Sequence, residues 1–153
     1  MKNLESLFID MADLESENYS KMFAKMGRSY DKEFSIGMFR EDHPQGLGII
    51  YFYTDSTLTA FLRFVERSKK IRICSLQLKK GYENQLRNII RSTYQLFSNL
   101  DFEIVESEVW KNNNASLILH IKLNFHYRRM NKHKVVFVIK KDHFLRSLKD
   151  VLG

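Results

Sequence analysis

The sequence has a single cysteine, Cys74, and a single proline, Pro44, among its 153 residues. One cysteine excludes an internal disulfide framework and a zinc site built from two or four cysteines. No apolar run approaches the ~20 residues that a membrane-spanning helix needs, and Glu5 and Asp10 interrupt any apolar stretch of a signal peptide. These absences predict a soluble protein of the cytoplasm that does not act on a membrane.

The composition that remains is that of a globular protein with an uneven charge. Hydrophobic residues make up 44% and charged residues 28%, and the length suits one domain, so we expect residues 1–153 to form a single domain. Residues 1–60 carry 6 basic and 10 acidic side chains, whereas residues 61–153 carry 19 and 8. The basic half is typical of a protein that binds phosphates, either of a cofactor or of a nucleic acid, and equally of a solvated basic face.

The hydrophobic pattern predicts alternating strands and helices. The pattern begins with a short initial strand and then one or two helices, the first over 14–26. The predicted strands that follow cover 48–54, 57–66, 71–78, 102–110, 125–130 and 134–140. The predicted later helices cover 83–98, 114–123 and 142–151. The strand–helix–strand unit around 83–98 requires a crossover and therefore a parallel pair. The fold class is α/β, with a mixed, mostly antiparallel sheet and helices on both faces.

The thirteen residues that begin at Asn113 read Asn-Asn-Ala-Ser-Leu-Ile-Leu-His-Ile-Lys-Leu-Asn-Phe. Asn113 or Asn114 can cap a helix, and Asn124 stands where the chain leaves the helix in a left-handed conformation. With the element order, this segment resembles the GCN5-related N-acetyltransferases (GNAT), which carry Asn-x-x-Ser/Ala-x-x-x-Tyr/His-x-Lys-Leu-Gly-Phe. The resemblance is strongest over 46–141 and implies an acyl-CoA N-acyltransferase-like fold, with 142–152 as an extra C-terminal helix.

The resemblance implies acetyl-CoA as a co-substrate. In the family, backbone amides of a glycine-rich loop before the long helix hold the pyrophosphate, because a helix N-terminus offers unpaired N–H groups and positive dipole. The family spacing puts this loop at 81–86, where Gly81 is retained, Asn84 and Leu86 replace glycines, and Glu83 adds a negative charge. The coenzyme A contacts implied by the resemblance are Leu76, Gln77, Leu78, Lys79, Lys80, Gly81, Asn84, Asn113 and Ser116.

Acyl transfer to an amine needs a base and an acid. The resemblance implies His120 as the acid, where many members have a tyrosine, and Glu108 as the base. Their alternative interpretations are a hydrogen-bonded core histidine and a strand-surface carboxylate, and Glu106 and Glu66 are rival bases. Cys74 is interpreted as a small buried residue rather than an acylated nucleophile. The remaining histidines lack the helical spacing of a metal site, so we expect none.

The sequence therefore predicts a coenzyme A-dependent N-acetyltransferase that moves an acyl group to a primary amine of a small molecule, such as an amino sugar or an amino acid. Two alternatives remain. The altered loop favours a GNAT-fold binding module without catalysis. The basic half favours an acyltransferase that acts on aminoacyl-tRNA, although a nucleic acid is not the preferred partner.

Overall fold

A computed structural model describes residues 3–153. Its centre is a six-stranded sheet in the order β1-β2-β3-β4-β6-β5. The strands are β1 (Leu47–Thr54), β2 (Thr57–Arg67), β3 (Lys70–Leu78), β4 (Ile104–Trp110), β5 (His126–Met130) and β6 (Lys134–Lys140). The helices are α1 (Leu4–Lys25), α2 (Lys32–Asp42), α3 (Gln85–Phe97), α4 (Asn114–Lys122) and α5 (Lys141–Leu152), with a 3-10 turn over His43–Gln45.

The predicted initial strand is wrong, because the chain is helical from Leu4 onward. Asn3 caps this helix by accepting a hydrogen bond from the Ser6 N–H at 2.8 Å. Leu7, Phe8 and Met11 then recur at helical spacing and are buried under the sheet. The sheet within residues 3–153 therefore begins with β1, and the other predicted strands and the three later helices are confirmed with shifts of a few residues at their ends. The helix predicted over 14–26 is part of α1, which begins ten residues earlier, and α2 is the second of the one or two N-terminal helices expected.

Two apolar clusters hold the helices on opposite faces of the sheet. One cluster joins α1 and α2 to β2 through Phe8, Phe39 and Phe61. The other packs α3 and α5 against the opposite face and is centred on Phe97, which is fully buried. Its ring lies 4.9–5.8 Å from the rings of Phe64, Phe102 and Phe144. Helices on both faces were predicted, and the packing confirms them.

The sheet opens between β3 and β4. These strands are parallel, as the crossover through α3 requires, and they pair only from Lys70 opposite Ile104 to Ile73 opposite Ser107. Within residues 3–153 they do not pair beyond that point, although β3 continues to Leu78 and β4 to Trp110. The last part of each strand therefore borders a gap.

A β-bulge coincides with the start of this gap. Across β2 and β3, Arg63 lies opposite Ser75, but the next residue, Phe64, lies opposite Ile73. Cys74 is the extra residue, without a cross-strand partner on β2 among the described residues. A bulge bends its strand and increases the local twist, so it helps to turn β3 away from β4.

Two residues with positive φ make the turns that position these elements. Gly46, before β1, has φ +95°, and a Cβ there would lie 2.2 Å from the Glu66 carbonyl oxygen. Asn124, after α4, has φ +64°, which confirms the left-handed exit expected for that position. No helix within residues 3–153 is both long and apolar enough to cross a membrane.

Candidate active site

A cavity of about 900 Å³ lies at the gap between β3 and β4. Helices α1 and α2 cover it on one side, and the first turns of α4 reach it from the other. Both predicted catalytic residues, Glu108 and His120, line this cavity. Ser107 and Glu108 are consecutive residues of β4, so their side chains point to opposite faces of the sheet. His120 of α4 contacts Ser107 and therefore lies on the face opposite Glu108.

His120 is held by two hydrogen bonds inside the cavity wall. Its Nδ1 lies 2.7 Å from the Ser116 carbonyl oxygen, and its Nε2 lies 2.8 Å from Ser107 Oγ. A carbonyl oxygen only accepts, so Nδ1 carries the hydrogen of the neutral imidazole. Nε2 is therefore the acceptor, and the Ser107 hydroxyl donates to it.

The surroundings of His120 favour the neutral ring. The side chain is buried, with a ring centroid 4.8 Å from that of Phe125 and 5.0 Å from that of Phe137. Burial lowers the pKa of His120 below its usual value, and the Ser116 carbonyl opposes part of that shift. A buried serine hydroxyl that donates to a neutral histidine is the usual arrangement for a proton-transfer pair.

Glu106 and Glu108 form ion pairs on the other face of β4. Glu108 Oε1 accepts from Arg72 Nη2 at 2.6 Å, and its Oε2 lies 3.6 Å from Lys134 Nζ. Glu106, almost fully buried, accepts from Arg128 at 3.1 Å. Both carboxylates therefore already face cations at the mouth of the cavity. Glu66, the other rival base, does not line this cavity.

Cys74 also lines the cavity, at the bulge. Burial raises the pKa of its thiol, which favours the protonated, unreactive form. This environment agrees with the interpretation of Cys74 as a packing residue. Within residues 3–153, no cluster of three histidine, cysteine, aspartate or glutamate side chains could hold a metal ion.

A second groove, of about 530 Å³, adjoins the cavity between the end of β3 and the start of α4. Five of the predicted coenzyme A contacts line it: Leu76, Gln77, Leu78, Asn113 and Ser116. The Asn113 side chain also caps α4, accepting from the Ser116 N–H at 3.2 Å, as one of the two capping alternatives expected. Lys79, Lys80, Gly81 and Asn84 lie outside this groove.

The backbone of β3 faces the groove along its free edge. The Lys79 N–H donates to the Thr59 carbonyl of β2 at 2.8 Å, so the backbone groups of the preceding residue, Leu78, turn toward the gap. The Asn18 side chain of α1 occupies part of this edge, donating to the Leu78 carbonyl at 3.0 Å and to Gln77 Oε1 at 2.9 Å. An extended ligand in the groove would meet α4 on one side. On the other it would meet a strand edge that has no partner strand within residues 3–153 and that Asn18 occupies in part.

The loop before α3 satisfies its own N–H groups. Gly81 has φ +91°, and its N–H donates to Glu83 Oε1 at 3.2 Å. Hydrogen bonds from the backbone N–H of Glu83 itself and from that of Gly81 lower the pKa of the Glu83 carboxyl. The Tyr82, Gln85 and Leu86 N–H groups donate to the carbonyls of Lys79, Tyr82 and Glu83, respectively. A pyrophosphate at this place would therefore have to displace the Glu83 carboxylate.

Several basic side chains of the C-terminal half are engaged in ion pairs. Lys69 pairs with Asp101 at 3.5 Å, and Lys79 pairs with Glu17 of α1 at 2.9 Å. Lys79 is thus turned toward α1 rather than held free for a phosphate. The net positive charge of this half is partly neutralised by such local contacts.

Sequence reasoning missed Ser107, Arg63 and two tyrosines of the cavity wall. Ser107 could have been found, because strand alternation puts it on the face opposite Glu106 and Glu108. Tyr19 and Tyr30 gave no such signal, since their positions depend on how α1 and α2 lie over the sheet. Burial raises the pKa of Tyr19 to about 12 and raises that of Tyr30 as well, so both hydroxyls stay protonated.

The strand order, the parted β3 and β4 and the helix that follows β4 define the acyl-CoA N-acyltransferase-like fold of the GNAT proteins. The PaiA N-acetyltransferase of Thermoplasma acidophilum, solved in complex with coenzyme A, matches with a TM-score of 0.69 and 14% identity over 92% of this chain and 96% of that chain. Apo FdhC, a nucleotide-linked sugar GNAT, matches with a TM-score of 0.71 and 14% identity over 100% and 93%.

The ribosomal-protein-S18-alanine N-acetyltransferase of Escherichia coli matches with a TM-score of 0.63 and 13% identity over 86% of each chain. A scan against protein-family models and a search of curated protein sequences both find no match. At these identities the likeness is one of fold. The GNAT fold predicted from the sequence is confirmed.

Proposed function

We propose that this protein is a coenzyme A-dependent N-acyltransferase that acylates a primary amine of a small molecule. The observation that carries the proposal is the gap between β3 and β4, which joins a large cavity to a groove with a free strand edge. A pantetheine arm is an extended chain with two amides, and such a chain suits a strand edge that lacks a partner. The acetyl-CoA thioester supplies the acyl group.

The Ser107–His120 pair provides the proton transfer. As the amine nitrogen bonds to the acyl carbon, it loses a proton; Ser107 Oγ takes it while the serine hydrogen passes to Nε2. When the carbon–sulfur bond breaks, the same path returns a proton to the thiolate. A neutral His120 suits this role because it must first accept.

This proposal changes the roles expected from the sequence, which had His120 as the acid and Glu108 as the base. His120 acts as base and then as acid, with Ser107 in direct contact with it. Glu108, paired with Arg72 and Lys134, attracts the incoming ammonium and remains the alternative base. Turnover by Glu108→Gln and by Ser107→Ala separates the two assignments, since the residue that carries the proton gives the larger loss.

Donor binding is tested by blocking the groove. Ala115, on the first turn of α4, lines the groove, whereas Ile118 on the same helix is 53% exposed and lies outside it. We expect Ala115→Phe to raise the Kd of acetyl-CoA at least ~10-fold in calorimetry, because the ring fills space that the arm needs. Ile118→Phe is the matched control and should bind as the wild type does. Equal affinities of the two variants would contradict the proposal.

A second candidate function, a binding module without catalysis, is favoured by the closed loop at Gly81 and Glu83. It predicts that acetyl-CoA does not bind, or that it binds and no thiol is released with any amine. The same titration, followed by a thiol-release assay, distinguishes the two functions. An acceptor of the aminoacyl-tRNA type would add a steep dependence of binding on salt.

A further inference from the structure

Arg63 of β2 is a buried cation without hydrogen bonds. Its side chain is 6% exposed, and its guanidinium makes no hydrogen bond within residues 3–153. The Nε atom is fully buried and unpartnered. The charge is compensated only at longer range, by Asp42 Oδ2 at 3.7 Å from Nη1 and by the Phe39 ring at 4.7 Å.

This arrangement is costly unless a ligand completes it. Buried donors are nearly always hydrogen-bonded, and an unmade bond to a charged group is more expensive than one to a neutral group. Nη1 faces Asp42, and Nε and Nη2 form the other edge of the planar fork, the edge that pairs side-on with a carboxylate or phosphate. Arg63 lines the 900 Å³ cavity, so an anion held in the cavity lies beside this guanidinium.

The neighbours of Arg63 suit an anion as well. Burial raises the pKa of Tyr19 to about 12, so its hydroxyl stays protonated, and Ser75 is the cross-strand partner of Arg63. The nearby carboxylate of Glu15 is engaged by the Tyr30 hydroxyl at 2.5 Å. Tyr19, Tyr30 and Ser75 line the same cavity as Arg63, so the cavity wall beside the guanidinium carries hydroxyl groups.

We propose that Arg63 binds a negatively charged group, a carboxylate or a phosphate, of the amine acceptor. Arg63 lies on β2 and Ser107 on β4, two strand spacings or about 10 Å apart at the backbone. The acceptor is thus an amine that carries its anionic group several bonds from the reacting nitrogen. The inference rests on the proposed function for the reaction, but the binding of the anion to Arg63 can be measured without acyl transfer.

The test compares matched acceptors that differ only in the anion. L-Lysine is compared with cadaverine, and glucosamine 6-phosphate with glucosamine, as acceptors of the acetyl group from acetyl-CoA, measured by thiol release. In the wild type, kcat/KM should be at least ~10-fold higher for the anionic member of one pair. A preference for L-lysine would identify the anion as a carboxylate, and a preference for glucosamine 6-phosphate would identify it as a phosphate. In Arg63→Gln that ratio should fall toward 1, by about 10- to 100-fold, whereas Arg63→Lys should keep part of it.

Arg40→Gln is the control, since Arg40 pairs with Glu5 on the surface and should leave the ratio unchanged. Binding is measured in parallel as the shift in Tm caused by L-lysine or glucosamine 6-phosphate alone. A shift that Arg63→Gln abolishes supports the inference even if no acyl transfer occurs, in which case the proposed function fails alone. Equal kcat/KM within both pairs, and no shift in Tm, would overturn the inference, and these wild-type measurements decide it even if the variants do not fold.

Discussion

Ser107→Ala tests the proton-transfer pair and the stability of its surroundings together. The change removes the only donor to His120 Nε2 among the described residues. Ser107 is 2% exposed and His120 is 7% exposed, so water cannot easily replace the lost hydroxyl. An unsatisfied buried acceptor costs about 1–3 kcal/mol. With a urea m-value of about 2 kcal/mol/M, the unfolding midpoint should fall by about 0.5–1.5 M.

The effect on turnover should be larger. If Ser107 passes protons between the substrate and His120, its loss should lower kcat by about 10²–10⁴-fold while the Kd of acetyl-CoA changes little. Unfolding is followed by far-UV circular dichroism in urea, and turnover by thiol release at saturating acetyl-CoA. The Kd comes from calorimetry on the same preparation.

Ser147→Ala is the matched control. Ser147 is also a buried serine, 4% exposed, whose hydroxyl accepts one hydrogen bond, from Asn124 Nδ2 at 3.2 Å. It lies on α5, outside both the cavity and the groove. It should lose comparable stability and keep its turnover. A folded Ser107→Ala variant with turnover within twofold of the wild type would refute the proton-transfer role, and His120 would then be a structural core histidine.

Three further outcomes are expected. Burial lowers the pKa of His120, so below about pH 6.5 the unfolded chain binds more protons than the folded chain, and the free energy of unfolding decreases as the pH is lowered. His120→Gln should make this decrease smaller in urea titrations between pH 7 and pH 5. An unaltered dependence on pH would contradict this expectation. Glu83→Gln should tighten coenzyme A binding in calorimetry, because it removes the anion that Gly81 holds; an unchanged Kd would argue against competition. Phe97→Ala should cost about 3–5 kcal/mol in urea unfolding, since the ring is fully buried, and a loss below ~1 kcal/mol would be inconsistent with that packing.

The sequence predicted the sheet and most helices because each has a clear period. The helix predicted over 83–98 is α3, Gln85–Phe97, and the predicted parallel crossover is present. The error at the N-terminus was avoidable, since Leu4, Leu7, Phe8 and Met11 already follow helical spacing. The initial strand was predicted because a short run of apolar residues is compatible with a strand as well as with a helix.

The candidate site was less predictable, because it depends on contacts between distant segments. The pairing of His120 with Ser107 requires the packing of α4 on β4, and the burial of Arg63 requires the placement of α2 over β2. Neither has a local pattern. Glu83 was expected to oppose phosphate binding by its charge; that its carboxylate bonds to the Gly81 N–H depends on a backbone turn that only coordinates reveal.

The parting of β3 and β4 has a mechanical consequence. The sheet consists of two antiparallel units, β1-β2-β3 and β4-β6-β5, joined by four residue pairs between Lys70–Ile73 and Ile104–Ser107. So short a seam can act as a hinge, about which the two units bend. A ligand lodged in the gap bridges both units and stiffens the seam, so the backbone amides of those eight residues should exchange with deuterium more slowly when the gap is filled.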